Sequence, residues 1–475
     1  MEAVLSTLGK YTPRAPRKSN YYRLVEAHCE QLERVWDEVY QPKYGFWRPY
    51  IMDVIYKFLD CGDPHHGFAR VKCQDCKHEY ILPFSCKRRH FCPSCHQKRV
   101  IEFGEHLNEK VLDEVYHRQW VFSIPKRLRQ YFMYDRKLLS KLSLCAWRVL
   151  SEYLKCSVSL ENPIPGAIIS VQTFGEFLNF NPHLHIIITD GCFDEDGKFM
   201  KACTPNAVEL EAVFASEVFD MLIEEDKIER SLAKSMSKWE HSGFNVYCSD
   251  AISPWSGEVI ERLAQYIVRA PLSQERMEYL SEKTAPDGVA KVVYEGKTSR
   301  SYKSFTALDW LARLITHIPN KGEQLVRYYG YYSNKSRGVR KKCEKSEEEQ
   351  KEIKMVEESG EVALFNSDLP VKKRRKSWAR LLQKVFNVDP LLCPKCEGTM
   401  KIISFIEDHA TIKEILVHLK LWMNHDPPKY GDEFEASHEG RAGSFAWWES
   451  GTSESVKKIN ALYEDDFSQL VAYDD

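Results

Sequence analysis

The chain has 475 residues, of which 43% are hydrophobic and 29% are charged, as is usual for a globular protein of roughly two to four domains. No stretch approaches the roughly 18 consecutive apolar residues that a membrane span requires, and the N-terminal residues lack the apolar core of a secretory signal. We therefore expect a cytoplasmic protein without a membrane partner. The formal net charge is −2, so only the distribution of charge can indicate nucleic-acid binding.

Helices are predicted for much of the N-terminal third. Apolar residues recur at helical spacing through residues 20–60, and a Cys- and His-rich segment follows at 61–96. A helix is expected at about 98–118. Beyond it we predict a strand over 119–125, which ends at a proline, and a longer helix over 131–156.

Strands and helices alternate in the middle of the chain. β-branched runs predict strands at 166–175 and 183–191, and an Asp-Gly turn soon afterwards predicts a hairpin. The remaining predicted elements are helices at 207–232, 257–269 and 306–317, and strands near 289–295, 299–304 and 324–332. Because several strands have short connections, we predict an α+β fold with a central antiparallel sheet and helices on one face.

Four parts of the chain are distinguished by composition. Residues 1–105 are predicted to form a helical and zinc-binding N-terminal domain, and residues 106–342 the main α+β domain. Residues 343–376 are charged and poor in aromatic side chains, which is typical of a linker. A small C-terminal unit is expected over 377–475.

Six of the fifteen cysteines lie between residues 61 and 95, which in a reduced compartment indicates metal binding rather than disulfides. A Cys-x2-Cys turn presents two thiolates at the spacing that zinc requires. Two such pairs together predict one closed four-cysteine site: Cys73 with Cys76, and Cys92 with Cys95. Cys86 and His90 between the pairs, and Cys61 before them, are further candidates, so a second zinc ion remains open and spacing does not assign the ligands.

Basic runs at 87–90, 126–129, 335–342 and 372–376 favour contacts with phosphate, because several of them lie near candidate sites. The zinc module either contacts DNA or serves only as a structural clip. Contact with DNA is favoured by its basic residues Lys87, Arg88, Arg89, Lys98 and Arg99.

A further pair near the C-terminus, Cys393 with Cys396, is isolated in the sequence. It either forms half of a zinc site with His409 or His418 or binds no metal.

A His-x-His motif begins a predicted strand. His183 and His185 alternate with apolar residues, so both imidazoles lie on one face of the strand and can bind one divalent ion. If the preceding strand pairs with it, Gln172 can approach the two histidines as a third ligand through its oxygen. Glu176 is the competing candidate for that third position.

The predicted helix 257–269 carries Tyr266 beside an apolar stripe, with Arg262 and Arg269 on the same side. A phenol has a pKa of about 10, so a tyrosine nucleophile needs positive charge or a metal nearby. Two arginines and a divalent ion would also hold a phosphate under attack.

Several motifs occur in a particular order along residues 55–340. They are the zinc knuckles, Val121 to Pro125, Gln172 to Gly175, Phe180 to His185, Gln265 to Arg269, His317 to Pro319 and Arg327 to Gly330. This order resembles the rolling-circle insertion-sequence transposases of the HUH (His-hydrophobe-His) superfamily, and it is most similar to the branch that includes the ISCR elements. The position four residues before Tyr266 is Arg262 where many relatives have a second tyrosine, so this chain resembles a single-tyrosine form.

The resemblance implies a bacterial, nucleoid-associated enzyme that binds single-stranded or extruded DNA ends. A metal on His183 and His185 would polarise the scissile phosphate, and Tyr266 would attack it to give a 5′-phosphotyrosine link and a free 3′-OH. Mg²⁺ or Mn²⁺ is the expected catalytic ion, and Zn²⁺ the structural one. A homodimer is left open.

Three alternatives share parts of this pattern. A plasmid replication initiator or relaxase would use the same chemistry. A zinc-ribbon DNA-binding regulator would keep the zinc site but not the catalysis. A hydrolytic metalloenzyme would use the histidine pair to activate water and would form no covalent protein–DNA species.

Overall fold

The computed structural model describes residues 16–88, 90–255, 257–296, 301–343 and 392–422. The predicted linker 343–376 lies outside these residues except for its first position. Within the described ranges, no helix combines the length and the apolarity needed to cross a membrane.

The helices of the described chain fall between residues 20 and 418. In chain order they are α1 (Asn20–Val35), α2 (Gln41–Tyr44), α3 (Tyr50–Leu59), α4 (Pro93–Lys110), α5 (Arg129–Tyr134), α6 (Lys137–Cys156), α7 (Ala207–Glu224), α8 (Arg230–Met236), α9 (Gly257–Ile267), α10 (Ala307–Ile315), α11 (334–343) and α12 (His409–His418).

The strands are mostly short, and each is antiparallel to its neighbours. In chain order they are β1 (Phe68–Cys73), β2 (Glu79–Pro83), β3 (His117–Ser123), β4 (Gly166–Phe174), β5 (Phe180–Thr189), β6 (Gly191–Phe193), β7 (Phe199–Lys201), β8 (Asn245–Cys248), β9 (Met277–Leu280), β10 (Lys291–Glu295), β11 (Tyr302–Thr306), β12 (Val326–Gly330) and β13 (Met400–Ile406).

The central sheet has five strands in the order β12-β4-β5-β3-β8. The predicted α+β class with a central antiparallel sheet is therefore confirmed, and β6 with β7 forms the hairpin expected at the Asp-Gly turn. Strands β1, β2, β8, β9 and β13 and helices α11 and α12 were not among the predicted elements. β8 and β9 have four residues each, so their alternation is too brief to be recognised in a sequence.

Helices cover both faces of the central sheet, so the prediction of helices on one face is wrong. Ile169, Leu184 and Ile186 pack on one face in the same core as residues of α6 and α7. Ile168 and Ile187 point to the opposite face and pack with residues of α4 and α9. Successive side chains of β4 and β5 point to opposite faces of the sheet, and apolar side chains lie on both faces. Helices must therefore pack on each face.

The N-terminal helices share a core with a distant part of the chain. Residues of α1 and α3 pack against Val292, Phe305 and Trp310, which belong to the sheet β11-β10-β9 and to α10. This core contains residues from both sides of the predicted domain boundary at residue 105. The boundary itself stays a prediction.

The described part of the C-terminal unit, residues 392–422, also packs on the N-terminal region. Its strand β13 pairs with β1 in the three-stranded sheet β13-β1-β2.

A close helix–helix contact sets the position of α9. A Cβ atom built on Gly104 of α4 would lie 3.1 Å from Cγ of Gln265 and 3.3 Å from the backbone oxygen of Glu261, both on α9. Glycine at this position therefore lets the two helices approach each other.

We predict that Gly104→Val lowers the free energy of unfolding by about 1–3 kcal/mol, because the added methyl groups force the two helices apart. Gly338→Val is the matched control, since Gly338 also lies in a helix but has open space where its Cβ would be. Urea denaturation of both variants measures the difference. Equal stabilities would contradict the predicted helix contact.

Two buried histidines are neutral parts of the core. His317 donates from Nε2 to the carbonyl of Leu178 (3.1 Å) and accepts at Nδ1 from the hydroxyl of Thr173 (3.1 Å). Burial lowers the pKa of His317 to about 3 and the pKa of His117 to about 4, from an ordinary value of 6.5. Between these values and pH 6.5 the unfolded chain binds protons that the folded chain does not.

We therefore predict that the free energy of unfolding falls as the pH decreases from 6.5 towards 4. His317→Gln removes one of the titrating groups, so its stability should decline less steeply over the same range. Urea denaturation at intervals between pH 7.5 and 4 measures both slopes. The same slope in the variant and the parent protein would show that His317 does not contribute.

Candidate active site and zinc clusters

The two histidines of the His-x-His motif lie together on β5. Their ring centroids are 4.9 Å apart, and His185 is only 2% exposed. Across the strand pair, Gln172 lies opposite His183 and Ser170 lies opposite His185. The antiparallel register therefore places four polar side chains on the same face of β4 and β5, the face that α9 covers.

A backbone contact fixes the tautomer of His183. Its Nδ1 atom lies 2.8 Å from the carbonyl oxygen of Asn181, and a carbonyl can only accept a hydrogen bond. The proton is therefore on Nδ1, and Nε2 carries the lone pair that a metal ion would use. Such an outer contact is typical of histidines that bind metals.

Tyr266 lies in the last turn of α9, over the histidine pair. Its ring meets the ring of His185 edge-to-face, with the centroids 5.2 Å apart. The side chain is 42% exposed, so the phenol can be reached from solvent. The structure thus brings Tyr266 close to His183 and His185, which lie far from it in the sequence.

Polar side chains from β4 and α4 hold the end of α9. Ser170 donates to the carbonyl of Ile267 (2.8 Å), and Gln172 donates from Nε2 to the carbonyls of Tyr266 (3.2 Å) and Ile267 (2.8 Å). Nε2 of His96 lies 2.8 Å from the carbonyl of Val268. Carbonyls at the end of a helix have no amides from a following turn, so these side chains supply donors and fix the turn that carries Tyr266.

The two predicted arginines differ in their environment. The guanidinium of Arg269 lies 4.4 Å from the centre of the Tyr266 ring and 5.7 Å from that of Phe174. Arg262 is exposed on α9, one turn before Tyr266. Arg269 therefore places positive charge against the Tyr266 ring.

Gln172 is placed to offer an oxygen to the histidine pair. The residue is 3% exposed, and its amide nitrogen donates both hydrogen bonds to the end of α9. Its Oε1 atom is buried without a hydrogen-bond partner among the described residues. Glu176, the alternative candidate, is exposed in the 3₁₀ turn after β4.

A cavity of about 100 Å³ adjoins this face of the sheet. Its lining includes Arg99, Gln172, Phe174, Arg269 and His317. Arg99 and Arg269 bring two guanidinium groups to this cavity, and Arg269 also contacts the Tyr266 ring. Such positive charge suits a polyanion.

The cysteines form two separate clusters, so the prediction that both Cys-x2-Cys pairs share one site is wrong. Cys92 and Cys95 lie with Cys61 and Cys86, and all four sulfur atoms are within 4.8 Å of one another. Neighbouring Sγ atoms are 3.6 to 3.7 Å apart, close to the edge of about 3.8 Å in a zinc–thiolate tetrahedron.

The first cluster lies at the start of α4. Cys92 precedes the first turn of that helix and Cys95 belongs to it. The backbone amide of Arg88 also donates to Sγ of Cys86 (3.5 Å). Helix N-termini and amide donors stabilise thiolates, so the residues present fit a structural zinc ion.

His90, a predicted zinc ligand, belongs to neither cluster. Its ring packs against that of His96 with the centroids 5.1 Å apart. The chain passes His90 with a positive φ of 61°, and four thiolates already complete the first cluster without it.

Cys73 and Cys76 form the second cluster with Cys393 and Cys396. The alternative in which the C-terminal pair joins His409 or His418 is therefore wrong. Spacing could not assign these ligands because Cys76 and Cys393 are 317 positions apart.

Sequence reasoning missed Ser170 and His96 as parts of these sites. It named Cys61 only as a further zinc candidate, on the basis of its place in a cysteine-rich segment, and could not assign it to a cluster. For Ser170, the signal was its position two residues before Gln172 on one strand face. His96 carries no signal in the sequence, since its role depends on the packing of α4 against α9.

The chain is similar to known transposases. Residues 166–340 match a family model described as "Putative transposase", and residues 31–124 match one described as "Transposase zinc-binding domain". Both Cys393 and Cys396 lie outside these ranges.

Two curated relatives are each 23% identical to the chain. The "Transposase for insertion sequence element IS801" of Pseudomonas savastanoi pv. phaseolicola aligns over 82% of this chain and 89% of its own length. "Putative transposase y4qJ" of Sinorhizobium fredii (strain NBRC 101917 / NGR234) aligns over 56% and 70%. No solved structure matches the chain. The chain therefore belongs to the IS91-like transposases with an N-terminal zinc-binding domain.

Proposed function

We propose that this transposase cuts and rejoins single-stranded DNA through a covalent 5′-phosphotyrosine intermediate on Tyr266. The observation that carries the proposal is the position of Tyr266 over the histidine pair, with its ring 5.2 Å from that of His185. A nucleophile beside a cluster of cation ligands suits phosphoryl transfer, in which positioning and charge neutralisation supply most of the catalysis.

The proposed step breaks one phosphoester bond and forms another. The phenolic oxygen of Tyr266 attacks the phosphorus, and the bond to the 3′ oxygen breaks. The phenolic proton is released, and the 3′ oxygen gains a proton to become a free hydroxyl. Arg269, whose guanidinium lies 4.4 Å from the Tyr266 ring centre, stabilises both the phenolate and the phosphate. Rejoining is the reverse reaction with a 3′-OH of another strand.

The side chains beside Tyr266 fit a divalent cation. His183 offers Nε2 because its Nδ1 proton is used by Asn181, and Gln172 offers a buried oxygen without a hydrogen-bond partner among the described residues. His185 lies opposite Ser170 in the strand pair, and its ring contacts that of Tyr266. A bound Mg²⁺ or Mn²⁺ would supply Lewis-acid polarisation of the phosphate, and Mn²⁺ accepts nitrogen ligands more readily.

One tyrosine serves the proposed site, since Arg262 occupies the position one turn earlier on α9. Two cleavage events therefore require either two successive reactions at Tyr266 or a second copy of the chain. DNA is the proposed partner in both cases.

We predict that the protein forms a denaturation-resistant adduct with single-stranded oligonucleotides in Mn²⁺, and that Tyr266→Phe abolishes it. The oligonucleotides should span the DNA on either side of the coding sequence. Gel electrophoresis after denaturation measures the adduct, and the free strand should end in a 3′-OH.

Tyr279→Phe and Tyr247→Phe are the matched controls. Tyr279 lies in the sheet of β9, where its hydroxyl contacts His28, and Tyr247 is exposed on β8. Both variants should keep the adduct. Cleavage that persists in Tyr266→Phe with a free 5′-phosphate would instead favour a hydrolytic enzyme. DNA binding without cleavage in the parent protein would favour a regulator.

We also predict that Gln172→Leu raises the Mn²⁺ concentration needed for half-maximal adduct formation by about tenfold or more, because an oxygen ligand is lost. Ser170→Ala is the control, since it removes a hydrogen bond to the end of α9 but no proposed ligand. It should slow the reaction without changing the Mn²⁺ dependence. An unchanged Mn²⁺ dependence in Gln172→Leu would restrict Gln172 to holding the helix.

A further inference from the structure

The two Cys-x2-Cys turns of the second cluster have the same local backbone geometry. The amide of Cys73 donates to the carbonyl of His78 (2.8 Å), and the amide of Cys393 donates to the carbonyl of Gly398 (2.9 Å). The residue after each second cysteine has a positive φ, 63° at Lys77 and 59° at Glu397. Each turn also leads into a strand, β2 or β13. They are therefore two equivalent knuckles, although they lie at opposite ends of the chain.

Strand pairing brings the two knuckles together. β1 and β13 are antiparallel, with Phe68 opposite Ile406 and Cys73 opposite Met400. The carboxylate of Asp75 occupies the space where a Cβ atom on Gly398 would lie, so a larger residue at Gly398 would displace this side chain. Each knuckle thus depends on the other for its position.

The sulfur atoms have the arrangement of a zinc site. Sγ of Cys73 lies 3.5 Å from that of Cys396, and Sγ of Cys76 lies 3.6 Å from that of Cys393. All four are within 4.8 Å of one another. These separations are near the edge of a zinc–thiolate tetrahedron, about 3.8 Å, and well above a disulfide bond of about 2.05 Å.

The apolar support for this sheet is small. Val71, Cys73, Cys393 and Met400 form one buried cluster, and Phe68 packs with residues of α12 in another. Cores of this size do not usually hold a small unit together without a metal ion or a disulfide.

We propose that Cys73, Cys76, Cys393 and Cys396 bind one Zn²⁺ ion, which joins the two halves of a zinc ribbon whose sequence is interrupted by the catalytic domain. The N-terminal half is the β1-knuckle-β2 hairpin, and the C-terminal half is residues 392–406. The ion therefore connects two parts of the chain that are 317 positions apart and closes the chain around the catalytic domain. The small C-terminal unit is completed by the N-terminal module instead of folding alone.

The two clusters differ in their exposure. Cys76 and Cys396 are exposed, whereas Cys61, Cys92 and Cys95 of the first cluster are buried. A chelator should therefore reach the ribbon's ion before it reaches the ion of the first cluster.

Zinc content tests the proposed site directly. Elemental analysis of the purified full chain should give two zinc ions per chain, and the double variant Cys393→Ser/Cys396→Ser should give one. Cys156→Ser/Cys203→Ser is the control, because both residues are exposed cysteines outside the clusters, and it should keep two ions. A double variant at Cys393 and Cys396 that still holds two ions, or a parent chain that holds only one, would overturn the proposal.

The joining role is tested by cutting the chain. A specific protease site is inserted between residues 344 and 391 and cleaved in the purified zinc-loaded protein. The two fragments should co-elute in gel filtration and separate when a chelator is added. Separation of the fragments without chelator, or co-elution that survives complete removal of zinc, would show that zinc does not join them.

A kinetic measurement covers the case in which the double variant folds poorly. Zinc release to a coloured chelator from the cleaved, zinc-loaded protein, whose four cysteines are all intact, should show two phases of equal amplitude, and the C-terminal fragment should separate during the fast phase. Release in a single phase, or separation during the slow phase, would contradict the assignment.

Discussion

The register between β4 and β5 is the constraint on which the proposed site depends. Because side chains alternate along a strand, the pairing of Gln172 with His183 also sets Ser170 opposite His185. The same register turns Leu184 and Ile186 to the other face, where α6 and α7 bury them. A shift of one residue in β5 would move the histidines into an apolar core, and the same shift in β4 would move Ser170 and Gln172 there. Burial of the apolar side chains thus also fixes the face of the sheet on which the polar side chains lie.

The histidine face is completed by the end of a helix. The carbonyls at the C-terminus of α9 need donors, and Ser170 and Gln172 supply them from the strand that also faces the histidines. Tyr266 is held over His185 by this arrangement, and Arg269 follows within the same turn of chain. Side chains of β4 therefore position the tyrosine as well as lining the proposed cation site.

Local patterns predicted most of this organisation. The alternation around His183 predicted the strand and its polar face, and the apolar stripe near Tyr266 predicted the helix. Each of these patterns lies within about ten consecutive residues, so it can be recognised from a single sequence. The four-residue strand β8 left too brief a pattern, and cover on both faces of the sheet depends on the packing of whole helices.

The composition of the two cysteine clusters could not be predicted from local sequence patterns. Spacing within a knuckle reports a turn that can bind zinc, but it does not report which knuckle completes the tetrahedron. Cys92 and Cys95 were paired with the wrong partners because the nearest knuckle in the sequence is not the nearest in space. The correct partner of Cys76 follows from strand pairing between β1 and β13, which a single sequence does not contain.

The contact between His96 and Val268 has a consequence for the proposed cleavage reaction. His96 follows Cys95 directly, so the first turn of α4 connects the buried cysteine cluster to the residue two positions after Tyr266. Nucleotides bound against the zinc module would therefore lie only a short distance from the proposed nucleophile, with little freedom to move relative to it. Such an arrangement would make cleavage occur at a constant offset from the recognised bases, so that inserting even one nucleotide between them would misplace the scissile bond.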